Sequence, residues 1–157
     1  MNQSEIHSVL IPANGIDVLL PNAAVAEMLE HERSEPIDGA VNWVLGTILW
    51  QGWQVPVIDY ASLVEASSSP APSTGRICVL KTLVDTERMP YMAIMTSGKP
   101  RLITVDEHSL EELPQESNPI AVLGHASIDG HHAVIPDLDR LGHLVAHAAF
   151  GALPLTS

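Results

Sequence analysis

The sequence predicts a mainly β protein, and three observations carry that prediction. Apolar residues come in short runs separated by Gly, Pro, Asn and Asp, the punctuation of many short strands rather than a few long helices. Asn14-Gly15 and Asp129-Gly130 stand between such runs, where a tight hairpin needs residues that tolerate positive backbone dihedrals. The chain of 157 residues, 46% hydrophobic and 17% charged, has the bulk for one ordinary domain or two very small ones sharing a core. That composition excludes a disordered tail and a large multidomain enzyme.

The elements follow in order. Ser8 to Pro12 and Asp17 to Pro21 are strand-like runs, and Ala13-Asn14-Gly15 between them makes an opening hairpin. Asn22 is placed to cap a short helix over Ala23 to Glu30, where Val25, Met28 and Leu29 form one apolar stripe before Pro36. Val41 to Tyr60 holds two further runs joined at Gln51-Gly52 and contains all three tryptophans. Pro56 has no amide hydrogen for a ladder, so its strand should lie at a sheet edge, a ready docking surface, or carry a bulge there. From Glu65 to Gly75 the chain turns to Ala, Ser and Pro, which reads as a flexible loop joining first-half and second-half subdomains.

Arg76 to Leu83, Tyr91 to Thr96 and Arg101 to Val105 supply three more strands, with a polar turn at Asp85 to Arg88. Val122 to Ile128 and His132 to Pro136 flank Asp129-Gly130 as a second clear hairpin. Leu138, Leu141, Leu144, Val145 and Ala148 recur at helical spacing, so the chain should close on an amphipathic helix running to about Phe150.

Charge narrows the function classes. Seven Lys and Arg against nineteen Asp and Glu give a formal net charge of -12, a field that repels nucleic acid and anionic lipid. No apolar run approaches the roughly 20 residues needed to cross a bilayer. Met1 to Pro12 has no basic start leading into an apolar run and cleavage site, and the lone Cys78 has no intramolecular disulfide partner, so the expected compartment is the cytoplasm.

Catalytic chemistry is hard to find. His143 and His147 lie one helical turn apart, but two nitrogens do not make a zinc site; His125, His131 or His132 could supply a third ligand, and HExxH is absent. Asp137 and Asp139 sit where the last helix begins, which favours capping over acid-base work. Asp106, Glu107, Glu111 and Glu112 form an acidic run with no apolar cradle, hence a solvated surface. Cys78 lies in an apolar strand and reads as a buried small hydrophobe. The nucleophile elbow, the P-loop and the dinucleotide fingerprint are all missing. No enzyme, metal or cofactor is expected; the rival reading is a small-ligand module or metal-dependent hydrolase using the histidines.

What remains is an aromatic concentration. The chain has 3 Trp, 2 Tyr and 1 Phe, and two of the indoles bracket the turn Trp50-Gln51-Gly52-Trp53. Each of Trp43, Trp50 and Trp53 either fills the core or faces outward, and an outward indole at a turn is a common interface anchor.

At this hairpin the sequence resembles the CheW family of chemotaxis coupling proteins, whose segment commonly reads G-x-x-N-L-R-G-x-x-x-P-V-x-D-L. Here it stands as Gly46-Thr47-Ile48-Leu49-Trp50-Gln51-Gly52-Trp53-Gln54-Val55-Pro56-Val57-Ile58-Asp59-Tyr60, with the glycines, proline and aspartate in register. Leu19-Leu20-Pro21 with Val25-Ala26-Glu27, Arg76 to Leu80, Val122 to His125 and Ile135 to Leu141 extend the resemblance over nearly the whole chain.

The resemblance implies one domain over 1–157, built as two SH3-like β-barrels on a shared hydrophobic core. It further implies a non-enzymatic adaptor that couples chemoreceptors to the regulatory domain of a CheA-type histidine kinase. Leu49, Trp50, Gln51, Gly52, Trp53, Pro56 and Asp59 become the expected partner-binding residues. Two departures stand out: Gln51 replaces the family's Arg and Leu49 its Asn, removing a cation from the tip. The usual Gly-x-x-Val-Asp is not recognisable around Tyr91 to Gly98, where Met92 and Met95 are read as soft apolar surface. Among relatives the chain looks most like the ChpC type, associated with type IV pili and twitching motility.

Overall fold

The computed structural model describes residues 6–64, 72, 74–82, 88–105, 110–113, 121–128 and 130–150. Five strands come first: β1 (Ile6–Ala13), β2 (Ile16–Pro21), β3 (Val25–Arg33), β4 (Val44–Trp50) and β5 (Trp53–Ile58). The short helix α1 (Tyr60–Leu63) leads to β6 (Thr74–Lys81), β7 (Tyr91–Met95), β8 (Arg101–Val105) and β9 (Leu110–Leu113). β10 (Val122–Ile128), β11 (His131–Pro136) and α2 (Leu138–Phe150) complete the fold.

The strands form two sheets, each curled as a half-barrel. One has the order β8-β1-β2-β11-β10-β9 and the other β3-β6-β7-β5-β4. The mainly β expectation is therefore met. Each sheet takes strands from both sides of the 65–75 segment. Antiparallel neighbours adjacent in sequence build most of each ladder, and single parallel contacts, Val134 beside Val18 and Val57 to Ile58 beside Ala93 to Ile94, stitch the later strands onto the earlier ones.

Side-chain alternation explains why the apolar runs are continuous rather than alternating. In β6 Ile77 and Val79 point into a cluster confined to the second sheet, while Cys78 and Leu80 join a cluster that both sheets share. In β1 Leu10 faces a cluster private to the first sheet, and Val9 and Ile11 face the shared one. β1 and β6 thus each bury both faces, one inside their own half-barrel and one against the other sheet. Leu141 and Val145 of α2 enter the shared cluster, and the Asp137 carboxylate caps that helix by accepting from the Arg140 amide at 3.1 Å. Inside the same core the buried Tyr60 hydroxyl donates to the Ala121 carbonyl at 2.8 Å, linking α1 to the residue before β10.

Three sequence expectations need correction. The helix over Ala23 to Glu30 does not form: Asn22–Ala24 is a single 3-10 turn without a side-chain cap, and β3 follows at once. Register shifts between Val25 and Glu27 and between Leu29 and Glu32 insert extra residues into β3. The first bulge brings Val25 and Met28 to the shared core and leaves Ala26 and Leu29 on the other face. A bulged strand has therefore reproduced the three-residue spacing of a helical stripe.

Pro56 does not mark an edge either, because β5 lies between β7 and β4, and β4 is the outermost strand. The ladder to β7 starts at Val57, one residue beyond the proline, so the missing donor is harmless there. The bulge belongs to β4 instead, between Val44 and Gly46. Gly46 has φ of 141°, and a Cβ there would collide with the Glu35 carbonyl. Finally, Met92 and Met95 are not surface; both are buried, because β7 is flanked by β6 and β5 and covered on both faces.

The strand β9 was not anticipated. Glu111 and Glu112 of the acidic run lie in its backbone, paired to Ser127 and Ala126 of β10. Asp106, Glu107, Asp129, most of the polar turn at Asp85 to Arg88 and most of the 65–75 loop lie outside the described residues.

Candidate docking site

The β4–β5 hairpin is built by pairing Val44 with Ile58 at its base and Trp50 with Trp53 at its tip. Gln51 and Gly52 turn the chain with φ of 53° and 81°, both left-handed, which is the conformation of a two-residue type I′ turn. Alternation then sorts the side chains. Ile48 and Val55 are buried in the second sheet's private cluster, whereas Leu49 and Gln54, opposite one another, point the other way into solvent.

The indoles divide as their positions require. Trp43 packs half-buried on the shared core, and its carbonyl accepts the Asp59 amide at 2.8 Å. Trp50 is clamped: its Nε1–H donates to Glu27 Oε1 at 2.9 Å, and its ring meets Tyr91 edge-on with centroids 4.8 Å apart. Edge-to-face pairs of this kind contribute about 1 kcal/mol beyond area burial. Trp53, one step past the cluster, is 38% exposed, and Leu49 is 71% exposed. The tip is therefore a rigid, uncharged projection with Gln51, Gly52, Trp53 and Leu49 in solvent and Trp50 holding it to the sheet.

The two remaining predicted residues serve from below. Pro56 is buried and faces Thr47 across the ladder. Asp59 is also buried; its carboxylate caps α1 through the Ser62 amide at 3.3 Å and accepts from Asn14 Nδ2 at 3.2 Å. Asn14 belongs to the β1–β2 turn, so Asp59 joins the two sheets at the foot of the hairpin. That Glu27 orients Trp50 carries no local sequence signal, because the two lie on separate strands, β3 and β4, that only the fold brings together.

The histidines do not assemble into the three-ligand site considered from the sequence. His143 and His147 are exposed on α2, where His143 Nδ1–H donates to the Asp139 carbonyl at 3.0 Å. Among the described residues no group of three or more His, Cys, Asp or Glu converges on one point. Cys78 is fully buried, and desolvation pushes its thiol pKa up to about 12, so it stays protonated. A cleft of about 170 Å³ between Ile6, Leu19, Pro21, Val105 and Ile135 is almost wholly apolar, with Ser8 its polar side chain. Such a lining offers contact area rather than acid-base chemistry. Among the described residues no helix is long and apolar enough to cross a membrane.

Comparison with known families matches residues 7–145 to the CheW-like domain. The chain belongs to the CheW family. The crystal structure of the scaffolding protein TtCheW from Thermoanaerobacter tengcongensis has the same fold, with a TM-score of 0.69 and 19% identity over 87% of this chain and 91% of that one. Among curated proteins none matches the chain by sequence. CheW proteins are non-enzymatic scaffolds of chemosensory systems, which removes the metal-dependent hydrolase considered above. The family as a whole couples chemoreceptors to CheA, and a coupling adaptor role follows for this member.

Proposed function

We propose that this CheW-like chain is a single-domain cytoplasmic adaptor that bridges a chemoreceptor signalling tip and the regulatory domain of a CheA-type kinase through its β4–β5 hairpin. Leu49, Gln51, Gly52 and Trp53 make the contact, and Trp50, Pro56 and Asp59 hold them in place. The observation carrying this reading is an indole and a leucine exposed on a turn whose neighbouring indole is clamped by Glu27 and Tyr91. Apolar side chains held rigid in solvent lose little freedom on binding and release water when covered.

The tip carries no charge where the family commonly has Arg at the position of Gln51. The complementary surface is therefore apolar rather than acidic, which separates this adaptor's partners from those of a typical flagellar relative. Together with the ChpC-like resemblance, this favours the chemosensory pathway of type IV pili and twitching motility.

The test is capture of the kinase regulatory domain and of a receptor signalling fragment by the purified chain. Trp53→Ala should weaken binding of at least one partner by about tenfold or more, and Gln51→Glu should weaken it by setting a charge in an apolar contact. Circular dichroism of both variants should be unchanged. Full-strength binding of both partners by both variants overturns the assignment. For the pathway, deletion of the gene should abolish twitching and spare swimming; the reverse outcome overturns the pilus reading.

A further inference from the structure

The β10–β11 hairpin carries a feature that the adaptor role does not use. Val134 lies opposite His125 and His132 opposite Ser127, so His125 and His132 are diagonal neighbours on one face of the sheet. His125 Nδ1 and His132 Nε2 are 2.8 Å apart, with the rings parallel to within 5° and their centroids 4.9 Å apart. One nitrogen donates its N–H and the other supplies the lone pair, which lies in the plane of its ring. The two facing ring nitrogens are thereby directed at each other. His132 is exposed and His125 half-buried, so the pair is open to solvent.

A long-range electrostatic feature also favours a cation there. The net charge of -12 draws dications toward the protein from a distance.

We propose that His125 and His132 form a two-imidazole site for a borderline transition-metal dication, with Zn²⁺ the natural probe. Binding replaces the N–H···N hydrogen bond: the donor ring passes its N–H proton through water to its own second nitrogen and becomes the other neutral tautomer, both facing nitrogens donate lone pairs to the metal, and water fills the remaining positions. Zinc–nitrogen bonds of about 2.0–2.1 Å at a tetrahedral angle set the nitrogens about 3.3 Å apart. The pair must therefore open by about 0.5 Å and its rings turn until both lone pairs meet at the metal, a rearrangement that side chains on an open face can make. With two protein ligands the site is weaker than a four-ligand structural centre and carries no catalytic role. It clamps β10 to β11, as a metal bound only to the folded state must. His131 is sent to the opposite face by alternation, and His143 and His147 lie on α2, so none of these joins it.

The experiment uses the full chain, free of any tag and stripped with chelator, titrated with Zn²⁺ at neutral pH by calorimetry and followed by histidine NMR resonances. About one equivalent should bind, with the His125 and His132 ring signals shifting together and thermal stability rising. His125→Ala and His132→Asn should each weaken uptake by about tenfold or more while keeping the native amide spectrum, because each leaves a single imidazole. The double variant His143→Ala/His147→Ala should bind as the wild type does. No uptake by the wild type, undiminished uptake by both β10–β11 variants, or loss of uptake only in the α2 double variant would each overturn the assignment.

Discussion

Two hairpin turns in this protein share a backbone and differ in everything else. At the β1–β2 turn Asn14 and Gly15 have φ of 54° and 102°, and at the β4–β5 turn Gln51 and Gly52 have 53° and 81°. The first turn is tied down: the Asn14 amide donates to Ser97 Oγ at 2.9 Å, and its side chain donates to Asp59. The neighbouring Ser97 amide also donates to the Pro12 carbonyl at 2.8 Å. The second turn is solvated and flanked by exposed Leu49 and Trp53. Turn chemistry therefore sets where a chain reverses, and the side chain at the first turn position sets whether the reversal closes the molecule or projects from it.

The largest effect that would sharpen this contrast lies at the base of the projecting hairpin. Gly46→Ala sets a Cβ into the Glu35 backbone at a dihedral that L residues rarely adopt, while Glu35 and Thr47 exchange two backbone hydrogen bonds at 2.8 and 2.9 Å. A loss of about 3 kcal/mol or more is expected in chemical denaturation. An unperturbed midpoint would show that the hairpin's aim does not depend on its bulge.

The tied and free turns themselves should separate next. Asp59→Ala removes the α1 cap and the acceptor that the Asn14 side chain donates to, an expected loss of about 2 kcal/mol. Gln51→Ala should change stability by less than about 0.5 kcal/mol, since its side chain is in solvent. Equal losses in the same denaturation series would erase the distinction drawn between the turns.

The smallest effect belongs to the third hairpin, β10–β11. His125 has a lower pKa folded than its unfolded value of about 6.5. Below that value the unfolded chain binds a proton that the folded chain resists, so stability falls as pH drops through the histidine range and recovers above it. His125→Asn should flatten that part of the stability-pH curve; an unchanged slope assigns it to other histidines.

Much of the fold was legible before any coordinates. The hairpins at Asn14-Gly15, Gln51-Gly52 and the β10–β11 turn, the strands on either side and the closing helix all follow from turn residues and run lengths, because those are local signals. Missed or misread were β3, β9 and the position of Pro56, and each miss has the same origin. A bulge altered the face count of β3, a partner strand recruited the acidic β9 segment, and the neighbours of β5 decided which of its residues need a donor. The candidate site divides likewise. Its residues could be named from the tip sequence, but the exposure of Trp53 beside the clamped Trp50 required Glu27 and Tyr91, which come from two other strands.

By itself the sequence determined where the chain turns, which stretches are extended, that the molecule carries an excess of negative charge and that it lacks the motifs of the common catalytic sites. Only tertiary structure decided how strands sort into two sheets, which indole faces water, and that His125 meets His132 across a ladder. Turn geometry and apolar run length are properties of neighbouring residues, whereas burial, register and side-chain pairing depend on which distant segment arrives alongside.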